Sequence, residues 1–204
     1  MTPFCPGGHT SSVFLRDNEI GRRVAPHVRP GQRVLDFGAG TGRISGWLAD
    51  HVRISPTLAD LVEYGNRRAD LPFIKMADPF NVPAEDSAFD VVLLLFALHH
   101  NPYDGQGKVL SEAVRLARQR LIVLEDTPRS RLDLVFNRAW DRVLNIRHGV
   151  PTPLAFRGME GWRGLFEESG LGVLHVETYR PKWPTLMTYP HTLFVLDHDR
   201  PFRE

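Results

Sequence analysis

Short apolar runs alternate with longer amphipathic stretches along this chain. The runs fall near residues 33–37, 56–60, 72–77, 89–96 and 120–125, and each has the length and composition typical of a buried strand. One of them contains "VVLLLFAL", which is apolar throughout, as expected for a central strand of a parallel sheet that is covered on both faces. Strands that alternate with helices predict βαβ units and a mostly parallel sheet.

Amphipathic stretches flank this βαβ region. Residues 12–28 predict a leading helix, and after Glu125 the apolar residues return at helical spacing, which predicts a cap over residues 127–157. Gly170 is placed to end one more helix, and the two strands that follow it are close enough in sequence to pair antiparallel at the sheet edge. We therefore predict a single α/β domain over residues 1–204, with a doubly wound, mostly parallel sheet, an antiparallel C-terminal hairpin and a helical cap.

Composition and charge exclude several partners and name none. Lys+Arg 25 against Asp+Glu 24 gives a net charge of +1, and the basic residues are scattered, so no nucleic-acid surface is indicated. The sequence has no apolar run of membrane-spanning length and no secretory leader at its N-terminus. A single cysteine, Cys5, excludes an internal disulfide and fits a reducing compartment. We expect a cytoplasmic protein without a membrane segment.

The stretch "VLDFGAGTG" is the most specific local signal. An acid, Asp36, ends the apolar run, and Gly38, Gly40 and Gly42 follow at alternate positions before a helix begins. Glycines let the backbone approach a ligand closely, and the first N–H groups of the helix favour an acceptor there. The dinucleotide fingerprint requires glycine where Arg43 stands, and no Gly-Lys-Ser/Thr ending is present. An acid beside the turn would repel a pyrophosphate and suits a ligand that carries a positive charge.

These residues resemble the first motif of class I S-adenosylmethionine-dependent methyltransferases. "TLAD", "KMADPFNVPAEDSAFDVVLLLFALHH" and "GQGKVLSEAVRLARQRLIVLEDT" resemble the later motifs in the same order, over residues 30–126 and, more weakly, 158–198. The resemblance implies a seven-stranded Rossmann-like sheet and S-adenosylmethionine as cofactor. It implies cofactor contacts at Asp36, Gly38, Ala39, Gly40, Asp60, Leu61, Asp78, Pro79 and Phe96. In this pattern Asp60 meets the ribose hydroxyls, Asp78 the adenine amino group, and a carbonyl near Phe96 the cofactor's ammonium group.

Candidates for the methyl-acceptor side are less specific. His99 and His100 follow the fourth strand, and either imidazole could remove a proton from a substrate. Glu125 and Asp126 end the fifth strand, where one could orient an acceptor or cap the next helix. In the cap, the spacing of Phe136, Trp140 and Phe156 favours core packing over substrate stacking. Arg16 and Arg23 on the leading helix could meet the cofactor carboxylate, although a solvated face is the preferred interpretation.

Other chemistries find little support. Cys5 and His9 have no further ligands at metal spacing, and no G-x-S-x-G elbow is present. The resemblance implies methyl transfer from S-adenosylmethionine, and the compact cap over residues 127–157 and the missing basic face favour a small-molecule acceptor. We expect no metal, nucleic acid or membrane to be involved, and the oligomeric state stays open. An inactive cofactor-binding partner or sensor remains the main alternative. A nicotinamide-dependent oxidoreductase is a weaker one, because Arg43 and Asp36 both disfavour it.

Overall fold

The computed structural model describes residues 12–145, 155–181 and 189–198. Its helices are α1 (Ser12–Val24), α2 (Arg43–Val52), α3 (Tyr103–Leu116), α4 (Arg131–Asn145) and α5 (Met159–Glu168), and two short 3-10 turns occupy Ala25–His27 and Leu98–His100. Its strands are β1 (Arg33–Phe37), β2 (Ser55–Asp60), β3 (Phe73–Lys75), β4 (Phe89–Leu95), β5 (Ala117–Asp126), β6 (Leu171–Tyr179) and β7 (His191–His198).

The strands form one seven-stranded sheet in the order β3-β2-β1-β4-β5-β7-β6. β1 to β5 pair in parallel, and β7 lies antiparallel to both β5 and β6. This arrangement confirms the predicted doubly wound sheet with an antiparallel hairpin at its C-terminal edge. The strand order reverses between β1 and β4, which is where ligands bind in open sheets of this kind.

Two hydrophobic clusters cover the two faces of the sheet. On one side, here called the α1 face, Ile20 and Val24 of α1 and Leu48 of α2 pack against the sheet. On the opposite side, the α3 face, α3 and α5 contribute residues such as Leu110 and Trp162. Successive strand residues point to opposite faces. In β5, Ile122 and Leu124 therefore belong to the α1 face, whereas Leu121 and Val123 belong to the α3 face.

Two strands differ in length from the prediction. β3 covers only residues 73–75, because it is an edge strand that pairs with β2 alone. β5 begins at Ala117, directly after α3, and includes the exposed polar residues Arg118 and Gln119. Its backbone is held by β4, where Phe89 pairs with Ala117, so strand geometry extends into a segment whose side chains give no apolar signal.

The described helices include none that is both long and apolar enough to cross a membrane.

Candidate cofactor and acceptor site

A cavity of about 230 Å³ opens at the carboxyl ends of β1 and β4, on the α1 face. Its lining comprises Arg16 and Asp17 of α1, Asp36 of β1, the turn residues Gly38, Ala39, Gly40 and Thr41, Arg43 and Ile44 of α2, and Leu95 and Phe96 after β4. The structure thus brings four of the predicted cofactor contacts, Asp36, Gly38, Ala39 and Gly40, together with Phe96 around one space.

The turn between β1 and α2 has a backbone that requires glycine. Gly38, Gly40 and Gly42 all have positive φ, at 80°, 56° and 69°. A Cβ on Gly42 would overlap the side chain of Leu58, whereas a Cβ on Gly40 would meet nothing within 4 Å. Side-chain-free backbone therefore faces open space at Gly40, where a ligand can approach the main chain.

Asp36 is a buried carboxylate in the cavity wall, with only 3% of its surface exposed. The hydroxyl of Ser45 donates a hydrogen bond to its Oδ2 over 2.6 Å. Burial, opposed by this hydrogen bond and reinforced by the charge of Asp60, raises the pKa of Asp36 to about 6. The group is therefore ionised at neutral pH and is stabilised in that form by any cation that enters the cavity.

Asp60 ends β2 and ties the glycine turn in place. Its Oδ2 accepts the backbone N–H of Gly40 over 2.7 Å, and its Oδ1 accepts that of Val62 over 2.9 Å. A carboxylate has about four acceptor positions, so two remain for other donors. Leu61, the next residue, is 39% exposed beside it.

Asp78 and Pro79 lie after β3 and are absent from the cavity lining. Asp78 is exposed, and its Oδ1 accepts the backbone N–H of Phe80 over 2.7 Å in a local turn. The structure thus does not bring Asp78 and Pro79 to the cavity that Asp36 and Gly40 line.

Arg16 corrects the expectation of a solvated face on α1. Its guanidinium lies 4.5 Å from the ring centroid of Phe96, and the side chain lines the cavity. Its buried Nε has no hydrogen-bond partner among the described residues. The signal was present in the sequence, because Arg16 and the core residue Ile20 are four residues apart on one helix face. Arg23 is also half-buried, and it pairs with Glu19 and Glu177.

Phe96 holds an uncommon backbone conformation at the mouth of β4. Its φ of 59° is in the left-handed region, and its N–H donates to the carbonyl of Leu124 over 2.7 Å. Non-glycine residues in this region are strained and are found disproportionately at functional sites. The ring also meets His191 edge to face at 5.0 Å.

His99 belongs to the α3 face and has a buried acidic partner. Its Nδ1 lies 2.6 Å from Oε2 of Glu125, whose Oε1 accepts the backbone N–H of Leu98 over 2.7 Å. The His99 ring stacks with Phe156 at 4.8 Å and lies tilted against the His100 ring at 4.2 Å. Glu125 thus fixes the turn after β4.

Asp126 meets a histidine that the sequence analysis did not select. Its Oδ1 lies 2.5 Å from Nδ1 of His191, which is 1% exposed. In the strand register His191 pairs with Asp126 on one side and with Tyr179 on the other, so all three side chains share the α1 face. No local sequence pattern marks this contact, because its partners are 65 residues apart.

The aromatic stripe of the predicted cap divides between two environments. Phe156 is buried, as expected, whereas Phe136 is 57% exposed, so the interpretation of Phe136 as a core residue is wrong. Among residues 131–139 of α4 the buried side chains are polar, Asp133 and Asn137. The side chain of Trp140 lies outside the described part of the chain.

The metal prediction can be examined only where the chain is described. Those residues contain no group of three or more His, Cys, Asp or Glu side chains arranged to hold an ion. Cys5 and His9 lie outside the described residues.

Comparisons with known proteins agree with this geometry. Residues 35–123 match a family described as "Methyltransferase domain". A demethylmenaquinone methyltransferase of Beutenbergia cavernae is 39% identical over 104 residues, which cover 48% of this chain and 42% of that protein. The chain thus matches less than half the length of that relative.

Two solved structures share the fold at low sequence identity. The magnesium protoporphyrin IX methyltransferase of Synechocystis PCC 6803, solved with bound SAH, has a TM-score of 0.62 and 19% identity, covering 91% of this chain and 84% of that one. The [4+2]-cyclase SpnF has a TM-score of 0.69 and 14% identity, covering 96% and 85%. The family match over residues 35–123, the strand order and the glycine turn together support a class I S-adenosylmethionine-dependent methyltransferase domain in this part of the chain.

Proposed function

We propose that the protein is an S-adenosylmethionine-dependent methyltransferase that acts on a small-molecule acceptor. The observation that carries the proposal is the cavity at the switch point, where the ionised carboxylate of Asp36 and the open backbone of Gly40 line the same space. An acid there favours a cationic ligand and disfavours a pyrophosphate, which argues against the nicotinamide alternative.

The residues around the cavity fit the parts of this cofactor. Asp36 would attract its ammonium group, Arg16 would pair with its carboxylate, and Asp60 would accept from the ribose hydroxyls with its remaining lone pairs. Leu61, Asp78 and Pro79 stay predicted cofactor contacts, with Asp78 at the adenine amino group as the resemblance implies. When bound, the sulfonium supplies an electrophilic methyl group. The chain then has to position the acceptor in line and exclude water.

The acceptor side rests on weaker support. Matches to enzymes named for a quinone and a porphyrin substrate favour a small organic acceptor. The prediction that His99 or His100 removes a proton is supported by the carboxylate partner of His99, which would stabilise a protonated ring. A cytoplasmic location and a cap over residues 127–157 also stay predictions. The main alternative is a cofactor-binding module without transferase activity, and the shared fold of the [4+2]-cyclase is the observation that keeps it open.

Ligand-dependent stability tests the cofactor. We expect S-adenosylmethionine and S-adenosylhomocysteine to raise the melting temperature, because both would bind only the folded state, and NADH to leave it unchanged. Stabilisation by NADH, with no response to either sulfur compound, would contradict the proposal. A turnover assay with S-adenosylmethionine and a panel of small acceptors then separates an enzyme from a binding module, since only an enzyme methylates one of them.

Asp60→Ala tests the site itself. Removing a charged acceptor from ribose costs about 1.5–3 kcal/mol, so affinity for S-adenosylhomocysteine should fall by roughly ten- to a hundredfold. Asp86→Ala is the matched control, because Asp86 pairs with Arg115 away from the cavity. Equal affinities in two folded variants would assign Asp60 a structural role only.

A further inference from the structure

A row of polar side chains crosses the α1 face beside the cavity and is not used by the cofactor proposal. Its polar members are Asp126 of β5, His191 of β7 and Tyr179 of β6, and Phe96 after β4 adjoins them on the cavity side. Phe96 lines the cavity, and its ring lies 5.0 Å from that of His191. The row therefore begins at the cavity wall and extends toward the β6 edge of the sheet.

The contact with Asp126 determines which nitrogen of His191 can act as a base. An ionised carboxylate only accepts hydrogen bonds, so Nδ1 of His191 carries a proton and donates it to Oδ1 of Asp126 over 2.5 Å. In the neutral ring Nε2 is then the unprotonated nitrogen. That atom is buried and has no hydrogen-bond partner among the described residues. A buried acceptor left unpaired destabilises the protein, so this nitrogen is suited to a donor supplied by a ligand.

Tyr179 provides a second unpaired group, on a ring that packs against the His191 ring. Its ring centroid is 5.5 Å from that of His191, and its buried hydroxyl has no partner among the described residues. Burial raises the pKa of Tyr179 even though Arg16 and Arg23 oppose the shift, so the phenol stays protonated and can donate. The row thus offers one acceptor, Nε2, and one donor, the phenol, to the same neighbourhood.

The surroundings of the row are aromatic and include charged groups of both signs. Phe96, Tyr179 and Tyr189 each meet the His191 ring edge to face, at 5.0, 5.5 and 5.3 Å. The charged groups that face the row are Arg16, Glu19 and Arg23 from α1, Asp126 from β5 and Glu177 from β6. Aromatic walls with one proton acceptor and one donor suit a planar acceptor molecule that carries an ionisable hydroxyl group.

We propose that His191, positioned by Asp126, takes the proton from the methyl acceptor, and that this acceptor is an aromatic compound methylated on a hydroxyl group. The inference rests on the proposed function, since it assigns the acceptor half of the same site. The acceptor O–H bond breaks and its proton passes to Nε2. The oxygen forms a bond to the methyl carbon, and the carbon–sulfur bond breaks with its electron pair left on sulfur.

This assignment differs from a base at His99 in its place on the sheet. Glu125 and Asp126 are adjacent in β5 and point to opposite faces, so the His99–Glu125 pair belongs to the α3 face. The cavity and the His191–Asp126 pair both belong to the α1 face.

The test uses two probes that differ in one group, because a methyl group replaces the ionisable proton in the second. Protein saturated with S-adenosylhomocysteine is titrated with 4-nitrophenol and with its methyl ether, 4-nitroanisole. We expect the phenol to bind about tenfold more tightly, since it alone donates to Nε2. We also expect bound 4-nitrophenol to show the absorption band of its ionised form at a pH where the free compound is protonated. Equal binding of the two probes, or binding of neither, would overturn the proposal.

Substitutions in the row test whether its side chains cause the preference for 4-nitrophenol and the ionised absorption band. His191→Gln and Asp126→Asn should each lose the preference for the phenol and the ionised band, while His51→Gln, an exposed histidine on α2, should keep both. Tyr179→Phe should keep the ionised band and weaken phenol binding only. A preference that survives in His191→Gln would reject the assignment. Binding of S-adenosylhomocysteine is measured first on every variant. If the unaltered protein does not bind it, the proposed function is rejected. If the unaltered protein binds it but does not prefer the phenol, only the present inference is rejected.

Discussion

At the scale of single residues, three buried acids at the strand ends have three different partners. Asp36 accepts from Ser45, Glu125 holds His99, and Asp126 holds His191. Glu125 and Asp126 are neighbours in sequence, but the pleat of β5 sends them to opposite faces. Because a buried carboxylate is costly unless it is hydrogen-bonded, each of these contacts stabilises the charged form of its acid.

The raised pKa of Asp36 predicts how cofactor binding depends on pH. With a pKa of about 6, the carboxylate is ionised at pH 7.5 and mostly protonated at pH 5, so affinity for the ammonium group of S-adenosylhomocysteine should fall about tenfold between them. Isothermal titration at both pH values measures this change. Asp36→Asn should bind weakly and equally at both, and Ser45→Ala should move the transition to higher pH, because it removes a bond to the ionised form. A pH-independent affinity in the unaltered protein would contradict the assignment.

The stability of the unliganded protein should depend on pH in the opposite direction to cofactor affinity, as far as Asp36 contributes to it. Because folding raises the pKa of Asp36 above its ordinary value of 3.8, this group favours the folded state most at low pH, and that contribution is lost as the pH rises through about 6.

At the scale of elements, α4 has an unusual orientation. Over residues 131–139, where its side chains are described, the buried positions are the polar residues Asp133 and Asn137, whereas Leu132, Val135 and Phe136 are exposed. Asp133 anchors the first turn, since its Oδ2 accepts the backbone N–H groups of Arg129 and Ser130. The same carboxylate pairs with Arg180 after β6 at 3.3 Å, so one residue ties α4 to the hairpin.

Asp133→Ala tests this anchor. Losing the cap should lower the free energy of unfolding by about 1 kcal/mol. Affinity for S-adenosylhomocysteine should stay unchanged, because Asp133 is not in the cavity wall. Urea unfolding and calorimetric titration measure the two quantities, with Glu167→Ala on the exposed face of α5 as the control. If α4 covers the acceptor, as the sequence predicts, binding of 4-nitrophenol should also weaken; a loss of cofactor affinity instead would show that α4 supports the cofactor half.

At the scale of the whole molecule, the two faces of the sheet differ in composition: one carries the candidate site and the other the larger part of the apolar core. The α1 face carries the cavity and the Asp126–His191 pair, while the α3 face holds the larger apolar core. Trp162 and Phe166 of α5 are fully buried in that core, and the indole N–H of Trp162 donates to the carbonyl of Asp126 over 3.3 Å. The core thus supports the strand end on which the opposite face depends.

Trp162→Ala should show this division. Removing a buried indole costs about 3–5 kcal/mol, so the free energy of unfolding should fall by that amount in a single transition. The protein that remains folded should bind S-adenosylhomocysteine normally, because the cavity lies on the other face. Trp162→Phe, which keeps most of the packing, should cost far less. Weakened cofactor binding in either folded variant would mean that the faces are coupled.

The sequence by itself determined the features that depend on local spacing. Alternating apolar runs predicted the parallel sheet, and the acid followed by alternate glycines predicted a turn that the structure shows with three positive φ angles. These signals are readable because period and turn chemistry act over a few residues. The ordered motifs then carried the resemblance to methyltransferases, and a family described as "Methyltransferase domain" matches residues 35–123.

Only the tertiary structure decided which side chains meet. Arg16 of α1 contacts Phe96 after β4, and His191 contacts Asp126, which is 65 residues away in the chain. The sequence also did not predict that Leu132, Val135 and Phe136 of α4 are exposed, because helical spacing predicts an apolar stripe but does not say whether that stripe is covered. Such contacts follow from strand order and register, which place residues side by side that no local period relates. The physical reason is that long-range pairing is set by how the whole core packs, whereas the sequence signal decays within one turn or strand.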